Sequence, residues 1–530
     1  MQVFPTKPTT HLAIAGGIIL LAGFIARQPA IIAWGAAILL AVAIARATAL
    51  ASISRIRRAG FEMLWSTTEP EHNVRTTPRG TEIELQAEVR NRDSRAARYV
   101  HLRPIASSQL NVTIEPQFGE VPANGRLLVS VKVQTPRVGR HAIHGLSLEV
   151  QGSPGLFEIP LTFANPYGIQ VIPRSLGTML LSARGGRSRS SAEVGVPGPQ
   201  RGDGYDFREI RELQPGDSFK RIAWSASARR GKLLVRDFEH PERDIVWLVL
   251  DASVELWAGN LGMAPLDFGI DEIAAIAQKH LSRGDSVGLL VVGKRVLGKV
   301  EPGRGASQMN AIATALAEYT SACDADRSAL EERDVAMRVF DHLRPLDTRV
   351  AEIATIDITR LAHRAELAIK SAPFRVATPI ASTTTEQTLR KYMAAFGMEC
   401  PPRGDPERPS AEKTIISFFE SIQDEKPKPS LVHVWGPMPR TVGQELSQAV
   451  QKLKRRGVSI RWTAPHPERS VSKPSTEMER IVSDAVVVRA KAARERGQRA
   501  LSRVGVRVHY SRESVGRKIV SVSAEEGRGS

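Results

Sequence analysis

Cysteine is almost missing from this 530-residue chain, which has only Cys323 and Cys400. The two form neither a C-x-x-C pair nor a zinc-ligand spacing. That excludes a disulfide-stapled scaffold and a cysteine-rich metal module, and it fits a reducing compartment. The short motifs of familiar hydrolytic and metal chemistry are absent too. There is no H-E-x-x-H and no G-x-S-x-G elbow. The 12 histidines are scattered, and the close pair His141 and His144 has no acidic ligand beside it. Gly288 to Lys294 reads GLLVVGK but is followed by Arg295, where a phosphate loop needs Ser or Thr. Its spacer is an apolar strand, whose backbone amides cannot cradle a phosphate. No nucleic-acid module accompanies the formal net charge of +17. The charge therefore points to an anionic membrane surface or an acidic protein, and not to nucleic acid.

What is present begins with grease. Leu12 to Ala26 and Ala30 to Ala45 are uncharged apolar runs separated by Arg27, Gln28 and Pro29. A spanning helix needs ~20 such residues, which the flanks supply: Thr9 to His11 before the first run, and Arg46 to about Ser54 after the second. The Gln28-Pro29 break forces a reversal, so a transmembrane helical hairpin is expected, with membrane lipid as its surroundings. A cleaved signal peptide would lack the second run, and a buried soluble hairpin would rarely stay charge-free for so long. Arg55, Arg57 and Arg58 follow the second run, whereas the connecting loop has only Arg27. By the positive-inside rule the protein is a two-helix membrane protein with both termini and the soluble body cytoplasmic.

From Thr81 to Pro173 polar and apolar residues alternate, as in Glu82 to Val89 and Arg126 to Val133. Turn sequences punctuate the alternation at about ten-residue spacing, the pattern of an antiparallel β-sandwich. After Arg243 the pattern becomes strand, helix, strand. Ile245 to Leu250, Ser286 to Val292, Leu431 to Trp435 and Val458 to Trp462 are continuous apolar strands. Between them Ile270 to Leu281, Ala311 to Tyr319 and Val442 to Leu453 have helical spacing. Strands apolar on both faces, alternating with amphipathic helices, predict a parallel sheet covered on both sides. The divisions are a hairpin at 8–54, a β-sandwich-like domain at 59–180 and a flexible Gly/Ser/Arg-rich linker at 181–202. A charged segment follows at 203–243, then an α/β domain in two parts, 244–320 and 431–510, split by a helical insertion at 321–430. A basic, polar tail closes the chain at 511–530, preceded by arginines and lysines at near-helical spacing from Arg489 to Arg507.

The densest signal is Gly202 to Glu239, where charged residues interleave with Phe207, Ile210, Ile222 and Trp224. The bland alternative is a solvated basic face. The interleaving instead favours a half-buried network of arginine–carboxylate pairs. The run resembles the signature of the family catalogued as domain of unknown function 58. The matching positions are Asp206-Phe207, Arg211, Pro215-Gly216-Asp217, Arg221-Ile222-Ala223-Trp224, Ala228-Arg229 and Leu233 to Arg236. Ala223 departs from the family, which usually has Asp there, so a charge placed there in relatives is missing here. The resemblance implies the wider layout as well: hairpin, β-region, signature, then a von Willebrand type A-like (Rossmann-like) domain. It also implies an adaptor, not an enzyme, that works with a MoxR-type AAA+ ATPase in assembly or maturation of other proteins.

Asp251-Ala252-Ser253-Val254-Glu255 ends a buried strand, where type A domains carry D-x-S-x-S and bind a divalent cation. Asp251 and Ser253 would suit Mg²⁺. Glu255 replaces the last serine, Trp435-Gly436-Pro437 stands where the resemblance implies an aspartate, and Ser307 is the nearest threonine equivalent. The ligand set is degenerate, so no cofactor is expected; Mg²⁺ is the candidate, and capping or ion pairing by Asp251 is the alternative. Two further functional readings remain open at this point: a membrane-bound hydrolase-type enzyme of the cell envelope, and a Mg²⁺-dependent ligand-binding domain.

Overall fold

A charge-free start to a chain can only be satisfied by helices that keep their backbone bonds to themselves. The computed structural model describes residues 3–66, 74–152, 155–174, 196–214, 219–242, 244–319, 323–347, 349–350, 353, 357–439, 442–465 and 476–510. It has two apolar helices at the start, Lys7–Ala26 and Pro29–Ala59. Lys7–Ala26 and Pro29–Ile56 are long and apolar enough to cross a membrane. The reversal falls at the expected break. Arg27 closes the first helix in the left-handed region (φ 50°), and Pro29 opens the second. Glycine sets how close the helices come. A Cβ at Gly35 would lie 2.5 Å from the Leu20 amide nitrogen, and one at Gly23 2.7 Å from that of Ile32. Small residues are what allow helix backbones to pack in lipid, where hydrophobic burial gives no drive.

The chain divides into two compact units, residues 1–171 with 321–402, and residues 172–320 with 403–530. In the first unit the second apolar helix runs on past Ser54, because its last turns find protein to bury against. Ala45 and Ala49 pack on Phe157, while Ile53 and Ile56 enter the core between two antiparallel sheets. Arg55 adds an ion pair to Asp93 at 2.7 Å. One sheet carries the long strands Gly139–Gly152 and Phe157–Ile172. The other carries Glu82–Asn91 between Phe61–Ser66 and Arg126–Gln134. The alternation in the sequence turns into alternating burial: Ile83, Leu85, Ala87 and Val89 face inward, as do Val129, Val131 and Val133 from the neighbouring strand. Strands of period two put every second side chain on one face. These residues share one core with Leu102, Ile143, Leu146, Leu148 and Ile159 of the other sheet.

Helices Glu332–Leu343, Ile358–Ile369 and Thr384–Ala395 belong to this same unit. They enclose their own core of Val335, Val339, Leu361, Leu389, Tyr392 and Phe396, together with Cys323 and Cys400. Helix Arg408–Ser421, the last part of the stretch read as one insertion, instead packs in the α/β core of the second unit.

In the second unit Val196–Glu212 and Leu234–Glu242 form a two-stranded antiparallel ribbon. A six-stranded sheet follows. Its centre is parallel, with Ile245–Asp251 between Ser286–Val292 and Leu431–Trp435, and Ser459–Ala464 outside the latter. Both halves of the split α/β region therefore lie in one sheet, as the apolar runs predict. Val296–Gly303 adds an antiparallel edge, and Arg507–Tyr510 closes the other side in parallel. Trp247, Val249, Val432 and Val434 pack against helices Arg408–Ser421 and Gln444–Arg455. Helix Pro265–Ser282 starts one turn before its periodic residues. Proline opens it, and the Asp267 side chain accepts the Ala264 amide at 3.0 Å.

Candidate functional site

Two places collect the residues singled out in the sequence. The first is the carboxyl end of the parallel sheet, where ligands of open α/β sheets gather. Strand Ile245–Asp251 delivers Asp251 there, 3% exposed, with Ser253 at 1%. Ser253 turns back on it: its amide donates to Asp251 Oδ1 at 3.0 Å, and its hydroxyl donates to the same oxygen. Burial pushes the Asp251 carboxyl up to about 6, against the pull of the Ser253 bonds. Space for the carboxylate comes from Gly436, at the end of the adjacent strand. A Cβ there would lie 2.7 Å from that of Asp251. The position where relatives are expected to carry an aspartate is thus closed to any side chain.

The loop after Asp251 is latched to the start of helix Arg408–Ser421. Glu407 Oε2 accepts the Val254 amide, and Glu255 Oε1 accepts the Arg408 amide, each at 3.1 Å. Glu255 therefore serves the loop instead of standing in for a hydroxyl ligand, and Ser307 is exposed in the first turn of helix Gly305–Tyr319. Among the described residues, no three of His, Cys, Asp and Glu are placed to hold a metal together. The local chemistry is that of one carboxyl that holds its proton to higher pH than an ordinary aspartate, with one hydroxyl bonded to it.

The second place is the signature. Its described part is a small strand–helix–strand unit. Ile222 bridges to Val235, and the Ala223 amide donates to the Leu234 carbonyl at 2.8 Å. Ala223 is 1% exposed, so a charged residue there would have to be paired to be buried. Ser227, which the sequence reading passed over, ties helix Trp224–Arg230 to the strand. Its hydroxyl donates to the Ala223 carbonyl at 3.0 Å and accepts the Leu234 amide at 2.9 Å. A serine at that spacing from a strand start has no sequence pattern to give it away.

Trp224 departs from the half-buried network expected around it: it is 66% exposed, and Phe219 is 75% exposed. Arg229 and Arg236 are exposed as well, as are Lys220, Arg230 and Lys232. Lys232 pairs with Glu212 at 3.0 Å on the surface, and Arg211 donates to the Glu212 carbonyl. The buried residues of this small unit are instead Ile222, Ala223, Leu234 and Val235. Gly216 and Asp217 lie outside the described residues, as do the side chains of Asp206, Phe207 and Arg221.

A family model described as "Protein of unknown function DUF58" matches residues 209–365. Uncharacterized protein Mb1516 of Mycobacterium bovis is 26% identical over 163 residues, which cover 29% of this chain and 50% of that protein. The same figures hold for uncharacterized protein Rv1480 of Mycobacterium tuberculosis. The chain spans about half the length of the curated relatives it matches. Among solved structures, the PapD-like domain 7 of human CEP192 is 17% identical with a TM-score of 0.17, covering 22% of this chain and 87% of that domain. The MG7-to-C-terminus fragment of Escherichia coli alpha-2-macroglobulin is 11% identical with a TM-score of 0.18, covering 84% and 55%. Neither TM-score carries a fold assignment. The match at residues 209–365 and the signature residues inside it agree: the chain carries a domain of the DUF58 family.

Proposed function

We propose that the protein is a membrane-anchored, non-enzymatic adaptor. Its apolar hairpin sits in a bilayer with the soluble body on the cytoplasmic side. Its signature surface docks a protein partner, for which a MoxR-type AAA+ ATPase is the candidate, in the assembly or maturation of other proteins. The observation that supports this is the exposure of Trp224, at 66%, beside the exposed basic residues Arg229 and Arg230. A tryptophan kept for stability is sequestered, whereas one kept for recognition is presented. Aromatic and arginine side chains are also where binding energy concentrates. Any nucleotide hydrolysis belongs to the partner. Trp224→Ala is expected to leave the melting temperature within about 2 °C of the parent, as for a surface substitution, and to abolish co-purification of the ATPase from native membranes. Undiminished recovery of the ATPase with the variant would remove the basis of this reading.

A second reading rests on Asp251. A buried carboxyl with a raised pKa at a sheet's carboxyl edge suits either a von Willebrand type A-like cation site or acid–base chemistry. Mg²⁺ or Mn²⁺ added to the purified protein at pH 7.5 would give a calorimetric signal that Asp251→Asn eliminates if a cation belongs there. A silent titration with the parent protein removes the cation site.

A further inference from the structure

The two cysteines lie far apart in sequence but meet at the base of the inserted helices. Cys323 enters the segment and Cys400 leaves it, and both sit in the core formed by Val335, Leu361, Leu389 and Phe396. The strands of chain that carry them run side by side: the Ala329 amide donates to the Pro401 carbonyl at 2.9 Å, and Ser328 bridges to Pro402. The Cys323 thiol donates to the Met398 carbonyl oxygen at 3.7 Å, and each thiol is close enough to be the largest influence on the ionisation of the other. Both are free, and their exposures of 6% and 7% leave an edge of each residue open to solvent.

We propose that Cys323 and Cys400 are a redox-modifiable dithiol, oxidised by hydrogen peroxide or an organic hydroperoxide to a disulfide that clasps the neck of the helical segment 323–400. The thiols are unequal, as such chemistry requires. The neighbouring Cys323 thiol, helped by the charge of Arg390 and the hydroxyl of Ser328, holds the Cys400 thiol below the ordinary range despite its burial. The same pairing, with burial, pushes Cys323 up. Cys400 is therefore the attacking sulfur and Cys323 the resolving one. In the first step the Cys400 thiolate forms an S–O bond as the peroxide O–O bond breaks, and the departing hydroxide or alkoxide takes up a proton. In the second step Cys323 sulfur attacks the sulfenic sulfur, the S–O bond breaks and water leaves with the Cys323 proton. Two thiols lose two electrons, and one peroxide is reduced by two.

The clasp would add a covalent link to ends otherwise held by packing, the Ala329–Pro401 bond and the Arg390 ion pair. Cross-linking such ends constrains the unfolded chain and leaves the folded segment as it is. Reduction by a thiol such as glutathione would restore the open pair, so the modification is reversible.

The test uses the full-length protein in detergent micelles, treated with hydrogen peroxide, then alkylated under denaturing conditions and mapped by mass spectrometry without reductant. The titratable thiols are expected to fall from two per chain to none, with a Cys323–Cys400 cross-linked peptide that dithiothreitol abolishes, and with an upward shift in melting temperature. In Cys323→Ser, Cys400 should be trapped by dimedone as a sulfenic acid. In Cys400→Ser, Cys323 should remain a thiol at the same peroxide dose. Two thiols surviving in the parent, independent oxygenation of each sulfur, or a bridge between two chains would each overturn the proposal. The peptide map of the parent decides the matter even if either serine variant fails to fold.

Discussion

Replacing Arg390 by leucine should remove about 3–5 kcal/mol from the first unit, the usual cost of breaking a buried ion pair from one side. Arg390 is 0% exposed, and its Nε donates to Glu386 Oε1 at 2.8 Å, one turn earlier on helix Thr384–Ala395. The guanidinium also serves two backbone carbonyls, donating to Leu330 at 2.7 Å and to Cys323 at 3.4 Å. It thereby stitches the irregular stretch before helix Glu332–Leu343 to the helix that carries it. Without it, Glu386 is left as a buried carboxylate with only the Ser382 and Thr383 neighbourhood for company, and two carbonyls lose their donor. The double variant Arg390→Leu/Glu386→Leu should recover a large part of the loss, because the uncompensated charge goes too. Thermal or urea melts of the single and double variants, followed by far-ultraviolet circular dichroism, would measure both. A single variant that melts like the parent would show that the ion pair does not hold the helices together.

The same unit should be acid-labile well above the pH at which ordinary carboxylates titrate. His342 Nε2 and His144 Nδ1 lie 2.9 Å apart, joining helix Glu332–Leu343 to strand Gly139–Gly152, and the other ring nitrogen of His342 meets the Tyr392 hydroxyl at 2.8 Å. Such an N–H···N bond needs one of the two facing nitrogens to be unprotonated, so it is lost once both rings are charged. Burial holds His144 down to about 4, and burial with the neighbouring His144 holds His342 down to about 3. His141, on the same strand and fully buried, is held at about 4 for the same reason. An unfolded chain takes up these protons near pH 6.5, whereas the folded one resists them until about 4 or below. The unfolded state therefore binds more protons throughout that window. The contribution is complete above pH 6.5 and is lost as the pH falls toward 4 and then 3. One imidazole shifted this far is worth ~3 kcal/mol; the hydrogen-bonded pair is worth more, though not twice as much, since its titrations are coupled. Urea midpoints measured from pH 7.5 to 4 should fall steeply, and His342→Phe, which keeps the ring packing against Tyr392 and Phe396, should flatten that slope. An unchanged slope in the variant would assign the acid transition to other groups.

The parts of this molecule that were legible beforehand share a property: their signal is periodic and local. The charge-free runs before and after Gln28-Pro29 read as helices of spanning length because no other structure satisfies so apolar a backbone. Glu82 to Val89 reads as a half-buried strand because its side chains change face at every residue. Ile245 to Leu250 reads as a central strand because both its faces are covered. Asp251 could be placed at the carboxyl end of that strand from the sequence alone. That Gly436 would be its neighbour, and Ser253 its hydrogen-bond partner, could not.

Signature residue types were recognisable, yet their role was not. Interleaved charges and aromatics suit a half-buried network and a presented surface equally, and only the folded unit buries Ile222, Ala223, Leu234 and Val235 while leaving Trp224 outside. The stretch read as one insertion likewise divides at residue 402, since nothing in helical periodicity says which core a helix joins.

From the sequence by itself came the kinds of element, their order, the split parallel sheet and the family of the signature, since each is written in neighbouring residues. Tertiary structure alone decided that Cys323 meets Cys400, that His144 meets His342 across 198 residues, and that Gly436 yields its space to Asp251. The physical reason is that such meetings are settled by close packing and by the entropy of closing long loops, both properties of the whole folded unit.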